Sequence, residues 1–570
     1  MKKYILYSSI LAIAASMASC NDALDKDPLD RFINNPAYWS NPGNVDGQCN
    51  AFYEEFLAYG NAGGGGLYYF KTLNDDQASN TFADWANINP PSASSDWRNP
   101  YEEIRRANII IDGVKSSSLD EKTKNHYLGI ARLMRAWEHY QLVRMYGDVQ
   151  WIEKYLDITD TGILYGKRDK RDLVMDKVLA DLDFACANIN EAGSKIVFTR
   201  QMANAVKADI CLYEGTFRKY RSTADNQDAP DKAGSDRFLN ACKDACTYVM
   251  GKGFKLNDSY QGNYNSPETD ILKNPEMIFV KVYKMGTLSH SLIDYTCSST
   301  QISGMTKDAF ESYLFTDGKP LALTTLDKND AGKLDADGNI NISEQLALRD
   351  KRLSETVDPI VFYNGNTWTR TADGMEMTSS TGYGIKKYDN LSIPTKYRNQ
   401  TGSNYTSAPV FWLSTVLLDY AEACAELGTI SQGDLDKSIN LLNARAGLPN
   451  LSVAVGFHDP ANDMGVSDLI WEVRRARRCE LMFDNWVRYW DLIRWHQLDK
   501  LDSTKNPDIL IGANIKNDPK PDAKLDKKGD YIDGSKGKTR TFDKKQYLYP
   551  IPTGQITLNP NLAPNNPGWQ

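Results

Sequence analysis

Hydrophobic and polar positions follow a helical period along much of this chain. In residues 119–146, apolar side chains such as Ile130, Leu133, Met134 and Trp137 return every three or four positions. That spacing places them on one face of an α-helix. The same pattern recurs in residues 51–59, 169–189, 201–218, 237–250, 410–427, 434–446 and 467–498. The sequence therefore predicts a mostly α protein.

Several of these segments place a small residue beside an aromatic one, as in Ala136 beside Trp137 and Ala421 beside Tyr420. A small side chain lets paired helices approach closely, which is typical of TPR-like helical hairpins. Long insertions interrupt the period, so a strict repeat is not expected. We predict TPR-like helices at about residues 44–60, 97–252, 410–446 and 467–498.

The helical pattern breaks down between about residues 253 and 405. Gly, Pro, Asn, Asp and Ser there separate short β-prone pieces such as residues 277–283 and 359–363. Residues 61–100 and 499–545 are also rich in turn-forming residues. Long irregular segments are uncommon in compact domains unless they serve a function. We therefore expect a loop-rich, irregular ligand-bearing subdomain at about residues 253–405, with little β-structure.

The N-terminus has the pattern of a secretory signal. Lys2 and Lys3 precede a short apolar run, and small residues lead directly to Cys20. The run is too short to span a bilayer, so we predict a signal peptide at residues 1–19. A cysteine at this place resembles the bacterial lipobox, which implies lipidation of Cys20. The alternative is an ordinary signal peptide followed by an incidental cysteine.

The segment behind Cys20 is polar and acidic. It buries too little apolar surface to offset the entropy of ordering, so residues 20–35 are predicted to be a flexible, lipidated leash. Residues 36–570 are predicted to form a single body. This body would therefore be tethered to a membrane through its N-terminal segment.

Composition narrows the classes of function. The chain is 41% hydrophobic and 25% charged, with a net charge of −8, which is ordinary for a globular protein. No long basic block is present, which argues against nucleic acid as a partner. The five histidines lack metal-like spacing, which argues against a zinc enzyme. Most of the nine cysteines lie in helical patterns, where free buried thiols are expected.

Longer motifs occur in a fixed order. Residues 135–149 read RAWEHYQLVRMYGDV, residues 419–423 read DYAEA, residues 474–483 read RRARRCELMF, and residues 549–552 read YPIP. Together with the lipobox they resemble the SusD/RagB family of outer-membrane nutrient-binding lipoproteins over most of the chain. One departure is the segment WLSTV at residues 412–416, where the family usually has an Arg and a Glu.

The resemblance implies a helical scaffold of four TPR-like hairpins with loops that carry the ligand. It also implies an outer-membrane protein facing the cell surface, which sits as a lid over a SusC-like TonB-dependent transporter. Ligands in the family are usually oligosaccharides, and some members bind fructans such as levan. The family binds without catalysis and without a required cofactor.

The arginine-rich segment at residues 474–494 could suggest an anion site. Glu480, Asp484 and Asp491 lie among six arginines, a spacing that instead favours a buried helix held by Arg–carboxylate pairs. Trp486, Trp490 and the nearby Trp495 are expected in the core.

A sugar site needs an exposed aromatic face rimmed by planar polar groups, and loops are where such faces occur. Trp85 fits best, because it lies in a turn-rich loop with Asp84 and Asn87 close to it. The alternative is a Trp that fills a gap in the scaffold.

Four further carbohydrate-binding candidates lie in the irregular regions and are chosen mainly by residue type. They are Asp75, Tyr295, Arg370 and Tyr397. Each could contribute a stacking ring or a planar polar group to a sugar.

Residues 333–344 partly match a calcium-binding loop. Asp335, Asp337, Asn341 and Glu344 fall at ligand positions of the twelve-residue motif, so they are the candidate metal ligands of a structural calcium site. Lys333, however, stands where the first carboxylate belongs. A polar surface turn is the alternative.

The sequence thus predicts a surface protein that binds an oligosaccharide and delivers it to a transporter. Two alternatives stay open. A glycoside hydrolase would need two carboxylates about 5–10 Å apart in a cleft. A scaffold of TPR-like hairpins would bind no small ligand at all.

Overall fold

The structure is a computed structural model that describes residues 35–79, 89–191, 193–300, 302–363, 367–519 and 521–569. The predicted signal peptide, Cys20 and nearly all of the predicted leash lie outside these ranges. No helix within the ranges is both long enough and apolar enough to cross a membrane.

Helices dominate the described chain, as predicted. They are α1 (Pro36–Trp39), α2 (Pro42–Asn50), α3 (Ser95–Ser116), α4 (Glu121–Tyr146), α5 (Thr161–Leu164), α6 (Arg171–Asn188), α7 (Arg200–Tyr220), α8 (Lys232–Met250), α9 (Leu292–Cys297), α10 (Lys307–Ser312), α11 (Ser343–Ala347), α12 (Lys351–Thr356), α13 (Thr395–Arg398), α14 (Leu413–Glu426), α15 (Gln432–Asp436), α16 (Ile439–Ala446), α17 (Asp468–Glu480), α18 (Val487–Arg494) and α19 (Thr553–Leu558). Short 3-10 helices such as Ala51–Glu55 lie in the connections.

The strands are short and form small sheets. They are β1 (Gln77–Ala78), β2 (Met277–Lys281), β3 (Gly304–Met305), β4 (Lys333–Leu334), β5 (Ile340–Asn341), β6 (Ile360–Val361), β7 (Trp368–Thr369), β8 (Glu376–Met377), β9 (Ala408–Trp412), β10 (Ile511–Asn514) and β11 (Tyr531–Asp533). The pairs β1–β3, β2–β9, β7–β8 and β10–β11 are antiparallel, and β4, β5 and β6 form a three-stranded antiparallel sheet.

The long helices begin and end where local signals place them. The Asp120 carboxylate accepts a hydrogen bond from the backbone N–H of Thr123 at 3.0 Å and so caps the start of α4. Gly147 follows the last turn with φ +72°, a conformation that favours glycine. The predicted helices at 119–146, 169–189 and 201–218 are confirmed to within a few residues.

The long helices form a continuous scaffold in which α3, α4, α6, α7, α8, α14 and α17 pack successively on one another. Glycines allow two of the closest approaches. A Cβ on Gly113 of α3 would lie 2.1 Å from the ring of Trp39, and one on Gly215 of α7 would lie 2.7 Å from Leu239. Helices therefore meet through small residues, as the sequence pattern indicated.

We expect Gly113→Ala to lower the free energy of unfolding by about 1–3 kcal/mol, because the added methyl group overlaps the buried Trp39 ring. Gly47→Ala in α2 is the matched control, since nothing lies within 4 Å of a Cβ there. The control should be neutral or stabilising by up to about 1 kcal/mol, because alanine favours a helix more than glycine does. Urea denaturation of both variants measures the difference. Equal effects at the two sites would contradict the close approach.

Four predicted helical segments differ from the structure. In the segment predicted at residues 51–59, only Ala51–Glu55 is helical, and it is a 3-10 helix. Residues 408–412 form strand β9, which pairs with β2 from Met277↔Trp412 to Lys281↔Ala408. A short run of apolar residues buried on both faces has no period that separates strand from helix. Residues 434–446 contain two helices, α15 and α16, and residues 467–498 contain α17 and α18. The second break falls at Phe483, Asn485 and Trp486, which all have positive φ.

The pairing of β2 with β9 brings the beginning and the end of the irregular region together at the scaffold. Near this sheet, the rings of Phe56, Trp137, Phe279 and Phe411 pack with centroids 5.3–6.4 Å apart. Phe56 follows the first helices, and Trp137 belongs to α4. The scaffold and the base of the loop-rich segment therefore share one hydrophobic core.

The arginine-rich segment is buried and paired, as predicted. Arg477 of α17 binds Asp491 at 2.9 Å and Asp419 of α14 at 2.6 Å. Glu480 pairs with Arg352 at 2.9 Å. Asp484 pairs with the fully buried Lys387 at 2.7 Å. These contacts join α14, α17 and α18 to the irregular region and pair the charges of the segment within the fold.

The tryptophan and cysteine predictions are confirmed with one exception. Trp490 and Trp495 are buried, but Trp486 is half-buried and lies under the ammonium group of Lys71, 5.1 Å from the ring centroid. The eight cysteines in the described ranges are free thiols, and all except the half-buried Cys186 are buried.

Candidate functional site

The best sequence candidate, Trp85, lies outside the described residues together with Asp84 and Asn87. The chain leading to them is well fixed. Gln77 and Ala78 of β1 pair with Met305 and Gly304 of β3, and the Ser380 hydroxyl donates to the Ala78 carbonyl at 2.6 Å. The segment that carries Trp85 therefore begins beside the irregular region. Its role in binding stays a prediction.

Tyr295 lies on α9 with its ring half-exposed. Phe70 packs edge-on against it, with centroids 5.5 Å apart and planes at 70°. The glycine-rich loop before Phe70 is bound to the start of α9, since the Ser291 hydroxyl donates to the Ala62 carbonyl at 2.7 Å. Two half-exposed rings thus stand together on one ordered surface.

Tyr397 lies on α13 and is also half-exposed. The buried side chain of Asn404 ties it to α9. The amide nitrogen of Asn404 donates to the Tyr397 carbonyl at 2.6 Å, and its oxygen accepts from the backbone N–H of Ile293 at 2.9 Å. One amide therefore holds the segments of Tyr295 and Tyr397 side by side. We call α9 and the neighbouring segments that carry Phe70 and Tyr397 the α9 face.

Arg370 is placed differently from its sequence assignment. It is 7% exposed, and its guanidinium binds Asp389 at 2.8 Å. Asp389 also accepts from Nε of the fully buried Arg398 at 2.6 Å, and Asp373 lies 3.5 Å from Arg370. Arg370 is therefore connected to α13 of the α9 face through Asp389, which also binds Arg398. The charge of Arg370 is already paired. The expectation of an exposed sugar ligand at Arg370 is not met.

Asp75 is likewise buried, at 2% exposure. Its two carboxylate oxygens accept from Arg488 of α18 at 2.7 and 2.6 Å, and Arg478 lies 3.5 Å away. Burial favours the neutral acid, but the two guanidinium groups outweigh it and lower the pKa of Asp75. Asp75 therefore joins the N-terminal loop to the C-terminal helices, and its charge is already paired.

The candidate calcium loop is a β-hairpin turn between β4 and β5. The Asp335 carboxylate accepts from the backbone N–H groups of Asp337 at 2.9 Å and Asn339 at 2.8 Å, and the Asn341 side chain accepts from Ser343. Glu344 instead pairs with Lys333 at 2.6 Å.

These contacts favour the surface-turn alternative. The described part of the chain contains no group of three or more His, Cys, Asp or Glu residues placed to hold a metal ion. A calcium site at this turn remains a prediction without support from the geometry.

The site residues that sequence reasoning missed are Phe70, Asn404 and Asp389. Phe70 follows a run of glycines, and that exposed loop was the available signal for it. Asn404 and Asp389 act through contacts to distant segments, for which the sequence carries no local signal. A partly exposed aromatic ring on an ordered segment is suited to stacking against the C–H side of a sugar ring.

Comparisons with known proteins agree with this architecture. Residues 275–569 match the model of the SusD family, and residues 67–212 match a family model described as starch-binding associating with outer membrane. The chain is 23% identical over 487 residues to SusD-like protein P2 of Formosa agariphila, covering 84% of this chain and 80% of that protein. It is 22% identical over 525 residues to a SusD-like protein of Bacteroides ovatus, covering 86% and 83%.

The fold is shared with solved structures. A SusD-like carbohydrate binding protein from Bacteroides fragilis superposes with a TM-score of 0.69 at 21% identity, covering 92% of this chain and 100% of that chain. A second SusD-like protein from the same species gives 0.67 at 20% identity, covering 95% and 100%. Because the family model spans more than half of its length and its helical scaffold matches these structures, the chain belongs to the SusD family.

Proposed function

We propose that this protein binds an oligosaccharide at the cell surface and delivers it to a SusC-like TonB-dependent transporter of the outer membrane. The α9 face is the observation that carries the proposal. It carries three half-buried aromatic residues, and buried hydrogen bonds and ion pairs hold the helices α9 and α13 that bear two of them. The outer-membrane description of one matching family model and the carbohydrate-binding description of the Bacteroides fragilis structure support it.

The surroundings of the rings favour binding over hydrolysis. Asp294 accepts from the hydroxyls of Thr401 at 2.8 Å and Ser298 at 2.9 Å. Asp373 and Asp389 are held by Arg370 and Arg398. These carboxylates are engaged in structural contacts, whereas a glycosidase needs an acid and a second carboxylate free to act on the substrate.

Lipidation of Cys20 would hold the protein at the membrane, where it can deliver the sugar to the transporter. A leash of about fifteen residues keeps the body close to a partner in the same membrane, so the body meets that partner at a high effective concentration. The body could then move on the leash while the transporter takes up the sugar. Fructan is the first ligand class to test, and levan oligosaccharides are the first probe.

The experiment is isothermal titration of the purified protein with levan oligosaccharides and a panel of other glycans and peptides. Heat release with intact sugar supports the proposal. Release of shorter products would favour a hydrolase, and no response to any glycan or peptide would favour a scaffold without a small ligand.

We expect Trp85→Ala and Tyr295→Ala each to weaken binding of the responding glycan by about tenfold, or roughly 1.4 kcal/mol, because each removes one stacking ring. Tyr165→Ala is the control, since this tyrosine is 53% exposed and lies in the scaffold part of the chain. The control should leave the affinity unchanged. Unchanged affinity in both site variants would refute the α9 face and the Trp85 loop as the binding surface.

A further inference from the structure

A cavity of about 920 Å³ lies between α10 and the turn-rich segment at residues 503–539. Seven lysine and arginine side chains and five acidic ones line it, although the whole chain carries a net charge of −8. Its volume is at the upper end of the range for ligand pockets, which is about 300–1,000 Å³. The cavity is therefore large enough for several sugar units and is locally cationic.

Four lysines at the rim of the cavity have no carboxylate partner among the described residues. Lys328, Lys524, Lys527 and Lys528 are exposed, and none of them forms an ion pair within the described ranges. Two of these lysines are adjacent in sequence, so their like charges repel at short range. An anion entering the cavity would relieve this repulsion.

The acidic groups, in contrast, already have partners. Glu311 and Asp508 both pair with Lys307, at 2.8 and 2.7 Å. Asp330 accepts from the side chains of Asn514 at 2.9 Å and Tyr531 at 2.5 Å. These three acidic side chains therefore stabilise the walls of the cavity, whereas the rim lysines are available to bind a ligand.

Arg349 is a deeply placed cation in the lining of this cavity. It is 5% exposed, donates to the Tyr313 carbonyl at 3.0 Å and lies over the Phe315 ring at 4.1 Å. No carboxylate lies within 4.0 Å of it in the parts of the chain that the structure describes. A buried guanidinium suits a bidentate anionic partner, so its position in the lining points to one.

The cavity adjoins strand β1. Leu510 lines the cavity and packs with Ala78 and Ile509 in a small apolar cluster apart from the main core. Ala78 lies in β1, so this cluster links the cavity wall to the strand that pairs with β3.

We propose that this cavity binds an anionic group of an oligosaccharide, either the carboxylate of a uronic acid or a sulfate ester. The inference rests on the proposed function, because it takes the ligand to be a saccharide. It extends that function from neutral sugars to charged ones and assigns Lys524, Lys527 and Lys528 as the residues that meet the charge. Binding would weaken with added salt, because the rim lysines are exposed and their attraction is screened.

The test uses the purified protein and three tetrasaccharides of similar size: an oligogalacturonate, a sulfated oligosaccharide and neutral maltotetraose. Isothermal titration at low salt should show binding of at least one anionic probe and weaker binding of the neutral one. The two anionic probes separate carboxylate from sulfate. Lys524→Gln/Lys527→Gln/Lys528→Gln should weaken the anionic complex at least tenfold.

Lys115→Gln/Lys122→Gln/Lys255→Gln is the matched control, because these lysines are exposed, lie in the scaffold or just after it, and change the net charge equally. Its affinity should stay within twofold of the parent protein. An equal loss of affinity in both triple variants would show that overall charge causes the effect, and it would overturn the proposal. Lack of binding by both anionic probes would also overturn it, while binding of levan oligosaccharides in the same assay would leave the proposed function standing.

Discussion

Arg494→Met should lower the free energy of unfolding by about 3–5 kcal/mol, because it leaves the carboxylate of Glu422 buried without its cation. Glu422 is fully buried, and its two oxygens accept from Arg494 at 2.6 and 2.7 Å. Burial alone would raise the pKa of Glu422, but the nearby guanidinium lowers it to about 2. The carboxylate is therefore charged at neutral pH and depends on Arg494. Urea denaturation followed by tryptophan fluorescence measures the loss.

Two further variants test whether the loss comes from the unpaired charge. Arg494→Met/Glu422→Leu removes both partners and should be more stable than Arg494→Met, because no carboxylate is then left unpaired at position 422. Arg98→Met breaks an exposed pair with Glu102, in which the side chains are 67% and 63% exposed, and should cost less than about 1 kcal/mol. A double variant no more stable than Arg494→Met would contradict the charge explanation.

Asp389→Asn should destabilise the support beneath the α9 face and weaken glycan binding. The substitution keeps the shape of the side chain but leaves the buried guanidinium groups of Arg370 and Arg398 with only Asp373 and Asp358 as nearby anions. Removing one partner of a buried pair costs about 3–5 kcal/mol. We expect faster hydrogen exchange in residues 367–405 and at least a tenfold loss of affinity for the glycan identified by titration.

A surface pair provides the control for this prediction. Asp270→Asn breaks the contact with Lys273, in which the side chains are 55% and 82% exposed, and should change neither exchange in residues 367–405 nor affinity. Faster exchange with unchanged affinity would show that Asp389 is structural only and that the α9 face does not bind the ligand. Unchanged exchange would show that the ion pairs do not support α13.

The long helices could be predicted because their signals are local. Apolar spacing, the Asp120 cap and Gly147 all act within a few residues of α4. The β9 strand was missed because residues 408–412 are buried on both faces and depend on β2, more than a hundred residues earlier, for their hydrogen bonds. Sheet pairing of this kind has no counterpart in the local sequence.

The residues selected for the candidate site likewise differ in whether the local sequence could indicate their exposure. Tyr295 and Tyr397 could be selected because aromatic residues in turn-rich segments are often exposed, and the structure places both on the α9 face. Arg370 and Asp75 were selected by residue type in the same manner. Their burial could not be foreseen, because it depends on Asp389 and on Arg488.

The sequence by itself determined the helical scaffold, the turn-rich regions and the family, because periodicity, caps and ordered motifs are properties of neighbouring residues. Only the tertiary structure decided which charges are paired and which face solvent. Asp75 and Arg488, for example, are 413 positions apart and meet in a bidentate ion pair. Lys524, Lys527 and Lys528 have no such partner in the described chain and surround a cavity. The physical reason is that burial and pairing of charge follow from which distant segments come into contact.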